Sequence, residues 1–219
     1  MALTLYYHPI SQYSIKALIA LYEHGVAFES KLLEHTNPAV GAEHRDLWPL
    51  GKMPTLRDHA RGQTVAEASV VVEYVDAFYA TAGKLIPADP DAAWQVRMRD
   101  RLFDLYIADS VAKVVLDTFR PEGQHDETGV ADAKDQLAAM YGHLDRDLAG
   151  KTWAAGEAFS LADCAAAPSL FYAQKIVPFG DRKALTSYWG RLRERPSFAR
   201  CLREATSQLP MFPFFDGVI

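Results

Sequence analysis

Cysteine is scarce in this sequence. The 219 residues contain only Cys164 and Cys201, which lie far apart along the chain. Two such cysteines supply neither a disulfide framework nor the Cys-x-x-Cys spacing of a redox pair. We therefore expect both to be small, reduced residues of the protein core.

The sequence also lacks an excess of basic charge. The formal net charge is -5, and acidic and basic residues are interleaved in stretches such as residues 97–104. Because proteins that bind nucleic acid carry a basic patch or stripe, nucleic acid is not an expected partner.

Long apolar runs are missing as well. No segment approaches the roughly 20 apolar residues of a membrane span, and residues 1–8 show no charged leader followed by an apolar core. We therefore expect no membrane association and a cytoplasmic location. With 49% hydrophobic residues, the chain can nevertheless bury a sizeable core in one large domain or two small ones.

Both strand and helix periods are present in the first 80 residues. Leu3, Leu5 and Tyr7 alternate as in a buried strand. A helix is predicted next from the spacing of Ile15, Leu18, Ile19 and Tyr22, with Ser11 or Ser14 as its cap and Gly25 at its end.

The remaining N-terminal segments complete a β-α-β-(α)-β-β-α order. Residues 27–33 are predicted to form a strand, and residues 37–50 to be irregular with one helical turn. Residues 55–58 and 63–65 resemble a hairpin, and a helix follows over residues 71–78.

Beyond residue 82 the strand signal disappears. We predict a linker over residues 82–91, since Gly83, Pro87 and Pro90 interrupt regular structure there, between domains at 1–81 and 92–219. Helical spacing recurs downstream over residues 94–116, 130–148, 161–174, 184–194 and 197–205. The second domain is therefore expected to be all-helical.

Three local motifs occur in a distinctive order: KMPTL at residues 52–56, EAS at 67–69 and FSLAD at 159–163. Together with the late segment 188–198, they resemble the cytosolic glutathione transferase family over nearly the whole chain. The resemblance implies a thioredoxin-like domain that binds glutathione and a helical domain that forms the electrophile pocket. It also implies glutathione as co-substrate, no metal, a small hydrophobic electrophile, detoxification chemistry and a homodimer.

The resemblance assigns the glutathione contacts to two of these motifs. It implies that the Met53-Pro54 bond is cis, so that the backbone of Met53 pairs with the cysteinyl part of glutathione by strand addition. Glu67 would face the ligand's ammonium group, and the helix that starts after it would hold the γ-glutamyl carboxylate. The family carries a serine directly after the glutamate, whereas this chain has Ala68, so Ser69 is a candidate replacement.

The thiol chemistry is expected where the first helix begins. Ser11, followed by Gln12 and Ser14, resembles the serine-type classes of the family, while the tyrosine-type classes use a residue that matches Tyr7. We favour Ser11 as the hydroxyl that stabilises the thiolate because it opens the helix, with Tyr7 and Ser14 as alternatives. No cysteine occupies this segment, which disfavours disulfide exchange through a thiol of the enzyme.

Several further residues complete the predicted site. Lys52 is the expected partner of the glycyl carboxylate, next to the Met53-Pro54 strand. Tyr13, Tyr106, Asp109 and Lys113 are predicted to face the second substrate, since the last three share a helical face. Asp163, in the capping arrangement that begins at Ser160, is interpreted as structural.

Three functions share these binding residues. The first is conjugation of glutathione to an apolar electrophile. The second is a glutathione-dependent isomerase or a disulfide or peroxide reductase, and the third is a non-catalytic glutathione-binding or scaffold protein, which the missing hydroxyl at Ala68 favours.

Overall fold

A computed structural model describes residues 2–34, 36–81 and 83–219 of the chain. Met1, in the predicted first domain, and Ala82, where the predicted linker begins, lie outside the described residues. The N-terminal part is built on a four-stranded sheet in the order β2-β1-β3-β4. The strands are β1 Leu3–Tyr7, β2 Glu29–Leu32, β3 Thr55–Asp58 and β4 Gln63–Ala66.

Both kinds of strand pairing occur in this sheet. β1 pairs parallel with β2 and antiparallel with β3, which in turn pairs antiparallel with β4. The parallel pair needs a crossover connection, and the first helix provides it. The hairpin predicted from the sequence is the β3-β4 pair.

Three helices cover the sheet: α1 Gln12–Glu23, α2 Pro38–Leu47 and α3 Ala68–Phe78. α1 packs against α3 on the face to which Leu3, Leu5 and Tyr7 point. Tyr6 alternates to the other face, where its hydroxyl donates to Glu43 of α2 at 2.6 Å. The sheet is therefore covered on both faces.

α2 differs from the prediction of one helical turn within residues 37–50. Pro38 occupies its first position, where proline is well tolerated because its missing N–H would have no helical partner. Among the α2 residues only His44 is buried, so the segment carries no apolar periodicity that could reveal a ten-residue helix.

The rest of the described chain is helical. Its helices are α4 Pro90–Leu102, a π-helical segment Phe103–Ala108, α5 Asp109–Asp117, α6 Glu127–Asp147, α7 Leu161–Ile176, α8 Lys183–Glu194 and α9 Pro196–Ala205, followed by a 3-10 turn at Leu209–Met211. α4 begins four residues before the predicted Trp94, because Asp89 caps it and Pro90 opens it. The predicted helix over residues 94–116 is thus interrupted by π-helical structure.

α7 is the central helix of this second part and also contacts α1 of the first. Its start carries the predicted capping box, in which the Asp163 carboxylate accepts hydrogen bonds from the backbone and the hydroxyl of Ser160. Asp163 also accepts from Ala154 N–H and the Tyr188 hydroxyl. These partners confirm a structural interpretation of Asp163.

Both cysteines are buried and unpaired, as predicted. Burial raises the pKa of the Cys164 and Cys201 thiols, which keeps them protonated at neutral pH. Within the described residues, no helix combines the length and the apolar character needed to cross a membrane. The β-α-β-α-β-β-α unit and the helical part together form a thioredoxin-like domain joined to an all-helical domain.

Candidate functional site

A cleft of about 460 Å³ lies between the sheet domain and the helical domain. Its lining combines Tyr13, Lys52, Met53, Pro54, Glu67, Ala68 and Ser69 of the first domain with Arg101, Asp104, Leu105, Asp109 and Ala112 of the second. All the residues predicted from the KMPTL and EAS motifs to contact glutathione are therefore brought together at one cleft.

The Met53-Pro54 bond is cis, as the resemblance implies. Pro54 immediately precedes β3 and is buried, while Met53 is half-buried and borders the cleft. The chain therefore enters the sheet at the floor of the cleft, where an extended ligand backbone can lie beside it.

Glu67 has an unusual backbone conformation, with φ of 68° and ψ of 119°, at the residue that precedes α3. It is the one non-glycine residue with positive φ in the described chain. This conformation costs a non-glycine residue of the order of 1–3 kcal/mol and is typical of functional sites. Glu67 is exposed and borders the cleft, next to the free N–H groups that begin α3.

The hydroxyl of Ser69 is fully engaged by a buried ionic network. It donates to Asp100 Oδ2 at 2.8 Å and accepts from Lys16 Nζ at 2.7 Å and from the guanidinium of Arg101. A serine hydroxyl has one donor and two acceptor positions, so none is left for a ligand. Ser69 therefore borders the cleft without being free to replace a hydroxyl at Ala68.

The same network joins α1 to α4 across the domain boundary. Lys16 is only 1% exposed, and its ammonium lies 2.5 Å from Asp100 Oδ1 and 2.7 Å from Asp104 Oδ2. Arg101 binds the same two carboxylates, with Nη2 at 2.6 Å and 2.7 Å from their Oδ2 atoms. Two cations thus balance two anions.

Arg101 and Asp104 were missed by the sequence analysis as site residues. Both lie in the interleaved charges of residues 97–104, which were interpreted only as evidence against a basic patch. Nothing local in the sequence distinguishes them from solvated charges, because their partners Lys16 and Ser69 are distant along the chain.

The start of α1 borders a second groove of about 490 Å³, which shares Tyr13, Lys52 and Met53 with the cleft. Ser11 lies in this groove and is the N-cap of α1, accepting from Ser14 N–H at 3.4 Å. Ser14 itself is fully buried, and its hydroxyl accepts from His8 N–H at 3.4 Å. Of the two serines, only Ser11 borders the groove.

Tyr7, the alternative to Ser11, lines neither the cleft nor the Ser11 groove. It points to the α1 side of the sheet and borders a different pocket, together with Tyr22, Ser30, Arg200 and Glu204. Burial raises the pKa of its hydroxyl. The structure therefore places Tyr7 away from Met53 and Glu67.

Tyr13 spans the two domains, since its hydroxyl donates to Asp109 Oδ1 at 3.0 Å. Burial and the charge of Asp109 raise the pKa of this hydroxyl, so it is protonated at neutral pH. Tyr13 and Asp109, two of the predicted electrophile residues, are therefore neighbours in the cleft.

The other two predicted electrophile residues lie outside the set of described residues that line the cleft. Lys113 pairs with Asp126 at the start of α6. Leu105 and Ala112 line the cleft in place of Tyr106 and Lys113. Arg101, Leu105, Asp109 and Ala112 are spaced by four, four and three residues and therefore share one helical face, whereas Tyr106 and Lys113 each lie one residue beyond it.

Lys52 is exposed and borders both the cleft and the Ser11 groove. A further groove of about 630 Å³ meets them at Met53 and contains Arg45 and His44 of α2. Gln208 and Met211, at the start of the aromatic C-terminal tail (residues 208–219), form its other wall. Two cations, Lys52 and Arg45, therefore stand on the two sides of Met53.

The C-terminal tail packs on its own domain. Phe212 is buried and lies edge-on to Tyr172 of α7, with ring centroids 4.8 Å apart. The hydroxyl of Tyr172 in turn donates to the backbone carbonyl of Ile10 at 2.7 Å, next to Ser11. The tail thus supports the loop that leads into α1.

This arrangement defines a thioredoxin-like domain whose cis-proline edge faces a helical domain. Residues 1–77 match the family described as glutathione S-transferase, N-terminal domain, and residues 107–196 match glutathione S-transferase, C-terminal domain. Glutathione S-transferase A of Pleuronectes platessa is 30% identical over 195 residues, which cover 83% of each chain. The chain therefore belongs to the glutathione S-transferase family.

Two further comparisons show the range of similar proteins. A glutathione S-transferase from Methylobacillus flagellatus, solved with glutathione bound, superposes with a TM-score of 0.81 at 27% identity, covering 91% of this chain and 98% of that one. FtsZ-localized protein A of Caulobacter vibrioides is 25% identical over 224 residues, covering 98% of this chain and 97% of that protein.

Proposed function

We propose that this protein binds glutathione in the interdomain cleft and transfers its thiolate to a small apolar electrophile. The observation that carries the proposal is the meeting of the cis Met53-Pro54 edge, the start of α3 after Glu67 and the Ser11 groove at one place. The similarity to a transferase solved with glutathione bound supports it.

In this proposal the Met53 backbone pairs with the cysteinyl part of glutathione, as an added strand. The γ-glutamyl end lies at the start of α3, where N–H groups and the helix dipole favour a carboxylate, and Glu67 faces the ammonium group. Lys52 binds the glycyl carboxylate. The γ-glutamyl, cysteinyl and glycyl parts of glutathione are then held by separate parts of the cleft.

Ser11 is proposed to donate a hydrogen bond from its hydroxyl to the glutathione thiolate. An ordinary cysteine thiol has a pKa near 8.5, so lowering it by about two units requires about 2.7 kcal/mol of preferential thiolate stabilisation. A charge-assisted hydrogen bond supplies about 1.5–3 kcal/mol, and the start of α1 adds a favourable dipole. Attack on the electrophile is then largely a matter of proximity and orientation.

The electrophile is proposed to lie on the helical-domain side of the cleft. Tyr13, Leu105 and Ala112 supply apolar surface there, while Asp109 fixes the Tyr13 ring. This pocket keeps Tyr13 and Asp109 from the sequence prediction and replaces Tyr106 and Lys113 by their neighbours on the cleft face.

The test compares Ser11→Ala with Tyr7→Phe. Thioether formation with an activated aryl chloride should fall by on the order of 10–100-fold in Ser11→Ala at neutral pH, the loss expected for one charge-assisted hydrogen bond. An ultraviolet titration should show a higher thiol pKa for bound glutathione in that variant. Tyr7→Phe is the matched control, and the reverse pattern would transfer the role to Tyr7.

A second candidate is a non-catalytic glutathione-binding or scaffold protein. The absent hydroxyl at Ala68 and the end-to-end similarity to FtsZ-localized protein A favour it. Saturable glutathione binding without turnover across a diverse electrophile panel would support this candidate. Turnover of mixed disulfides or peroxides without thioether product would instead support a glutathione-dependent reductase, and rearrangement of a substrate without thioether product an isomerase.

A further inference from the structure

The carboxylate end of the cleft lacks the expected hydroxyl donor. Ala68 has none, and the Ser69 hydroxyl is committed to Lys16, Asp100 and Arg101. The N–H groups at the start of α3 remain, but a carboxylate has about four lone-pair positions and accepts several donors when bound tightly. The carboxylate therefore needs a side-chain donor from another element of the fold.

Arg101 of α4 stands at this place. Its guanidinium contacts the Ser69 hydroxyl in the first turn of α3, and its side chain is 48% exposed while lining the same cleft as Glu67 and Ala68. Its Nε and Nη2 atoms donate to Asp100 and Asp104, whereas none of the described residues accepts from its Nη1 group. One edge of the guanidinium is therefore available to a ligand.

The charges around Arg101 make the free Nη1 edge of its guanidinium suitable for binding a ligand group that carries an ammonium and a carboxylate side by side. Lys16 and Arg101 balance the charges of Asp100 and Asp104, so the cluster is formally neutral, and the carboxylates hold the guanidinium in one orientation. A donor fixed in advance loses little conformational entropy on binding. A zwitterion is also neutral overall and carries its two charges side by side.

We infer that Arg101 binds the α-carboxylate of the γ-glutamyl end of glutathione, replacing the hydroxyl that Ala68 lacks. Glu67, across the start of α3, faces the adjacent ammonium group. The helical domain thus takes part in recognising glutathione as well as the second substrate. This inference rests on the proposed binding of glutathione.

The experiment compares two ligands by titration calorimetry: glutathione, and γ-aminobutyryl-cysteinylglycine, which lacks only that carboxylate. The wild-type protein should bind glutathione more tightly, and Arg101→Gln should reduce the ratio of the two affinities by about tenfold, as expected for a charged hydrogen bond. Adding Ala68→Ser to Arg101→Gln should restore part of the ratio. Both ligands are measured on the same preparation, so partial unfolding cancels.

Arg97→Gln is the matched control, since Arg97 is an exposed arginine of α4 that pairs with Glu73. Its ratio of the two affinities should equal that of the wild type.

Arg101→Lys, which keeps the network's charge, should lose less of this ratio than Arg101→Gln and serves if the latter variant does not fold. An unchanged ratio in whichever Arg101 variant folds, with normal glutathione binding, overturns the role of Arg101 alone. Absence of glutathione binding by the wild-type protein overturns the proposed function as well.

Discussion

Glu67 combines a strained backbone with an exposed carboxylate at the mouth of the cleft. Its positive φ of 68° belongs to a region that glycine adopts freely and other residues adopt at a cost. This conformation occurs at the turn from β4 into α3, whose first residues, Ala68 and Ser69, line the cleft. A glutamate at this position is expected when its side chain contributes more to binding than its backbone costs in stability.

We predict that Glu67→Gly separates these two effects. The free energy of unfolding should rise by about 1 kcal/mol, since glycine removes the backbone strain, while glutathione affinity should fall at least tenfold because the partner of the ammonium group is lost. Urea denaturation and calorimetry measure the two quantities. Glu67→Gln is the control, since it keeps the strain and should lose affinity without gaining stability. A stability gain with unchanged affinity would remove Glu67 from the binding site.

The predictability of individual site residues depends on whether their partners are local. Met53-Pro54 and Glu67 are marked by short motifs, and the structure brings them to one cleft. The state of Ser69 was not predictable, because its hydroxyl partners Lys16 and Asp100 come from other helices. The family resemblance therefore predicts where the ligand backbone lies but leaves the anchoring of its carboxylate open.

Among the elements, those with a regular apolar pattern were the predictable ones. β1 and the helices α1 and α3 follow from apolar spacings with periods of two and 3.6, and all three contribute buried residues to the core. α2 was predicted only as one helical turn within an irregular segment, because it is largely exposed. The π-helical segment Phe103–Ala108 also left no signal, because its apolar spacing does not differ visibly from that of an α-helix.

The junction of α1, α3 and α4 carries the second prediction. Lys16→Met should destabilise the protein by about 3–5 kcal/mol, because it leaves two buried carboxylates with Arg101 as their remaining cation. Lys31→Met is the control, since Lys31 pairs with Glu43 at 3.4 Å on the surface and should cost less than about 1 kcal/mol. Equal urea midpoints for the two variants would show that the network contributes little to domain docking.

On the scale of the whole molecule, α3 and α4 present apolar side chains to solvent side by side. Arg97 pairs with Glu73 and Arg101 contacts Ser69, so the two helices run antiparallel. Five large apolar residues are each 43–53% exposed: Val70 and Phe78 of α3, Trp94 and Met98 of α4, and Leu105 of the π-helical segment that follows α4. Several exposed large apolar residues on neighbouring helices are typical of an interaction surface.

We predict that a second copy of the chain covers this patch, because a self-complementary two-fold contact is the commonest way to bury such a surface and the family resemblance implies a homodimer. Sedimentation velocity should give twice the 24.4 kDa chain mass. The double substitution Trp94→Glu and Met98→Glu should yield a monomer, since four charges would be buried without partners at the two-fold interface. Phe119→Glu, at an exposed phenylalanine just beyond α5, should leave the dimer intact.

A wild-type protein that sediments as a monomer at micromolar concentration would contradict this assembly. Leu105 also borders the cleft on the side proposed for the electrophile, so the monomeric variant should in addition bind the electrophile more weakly.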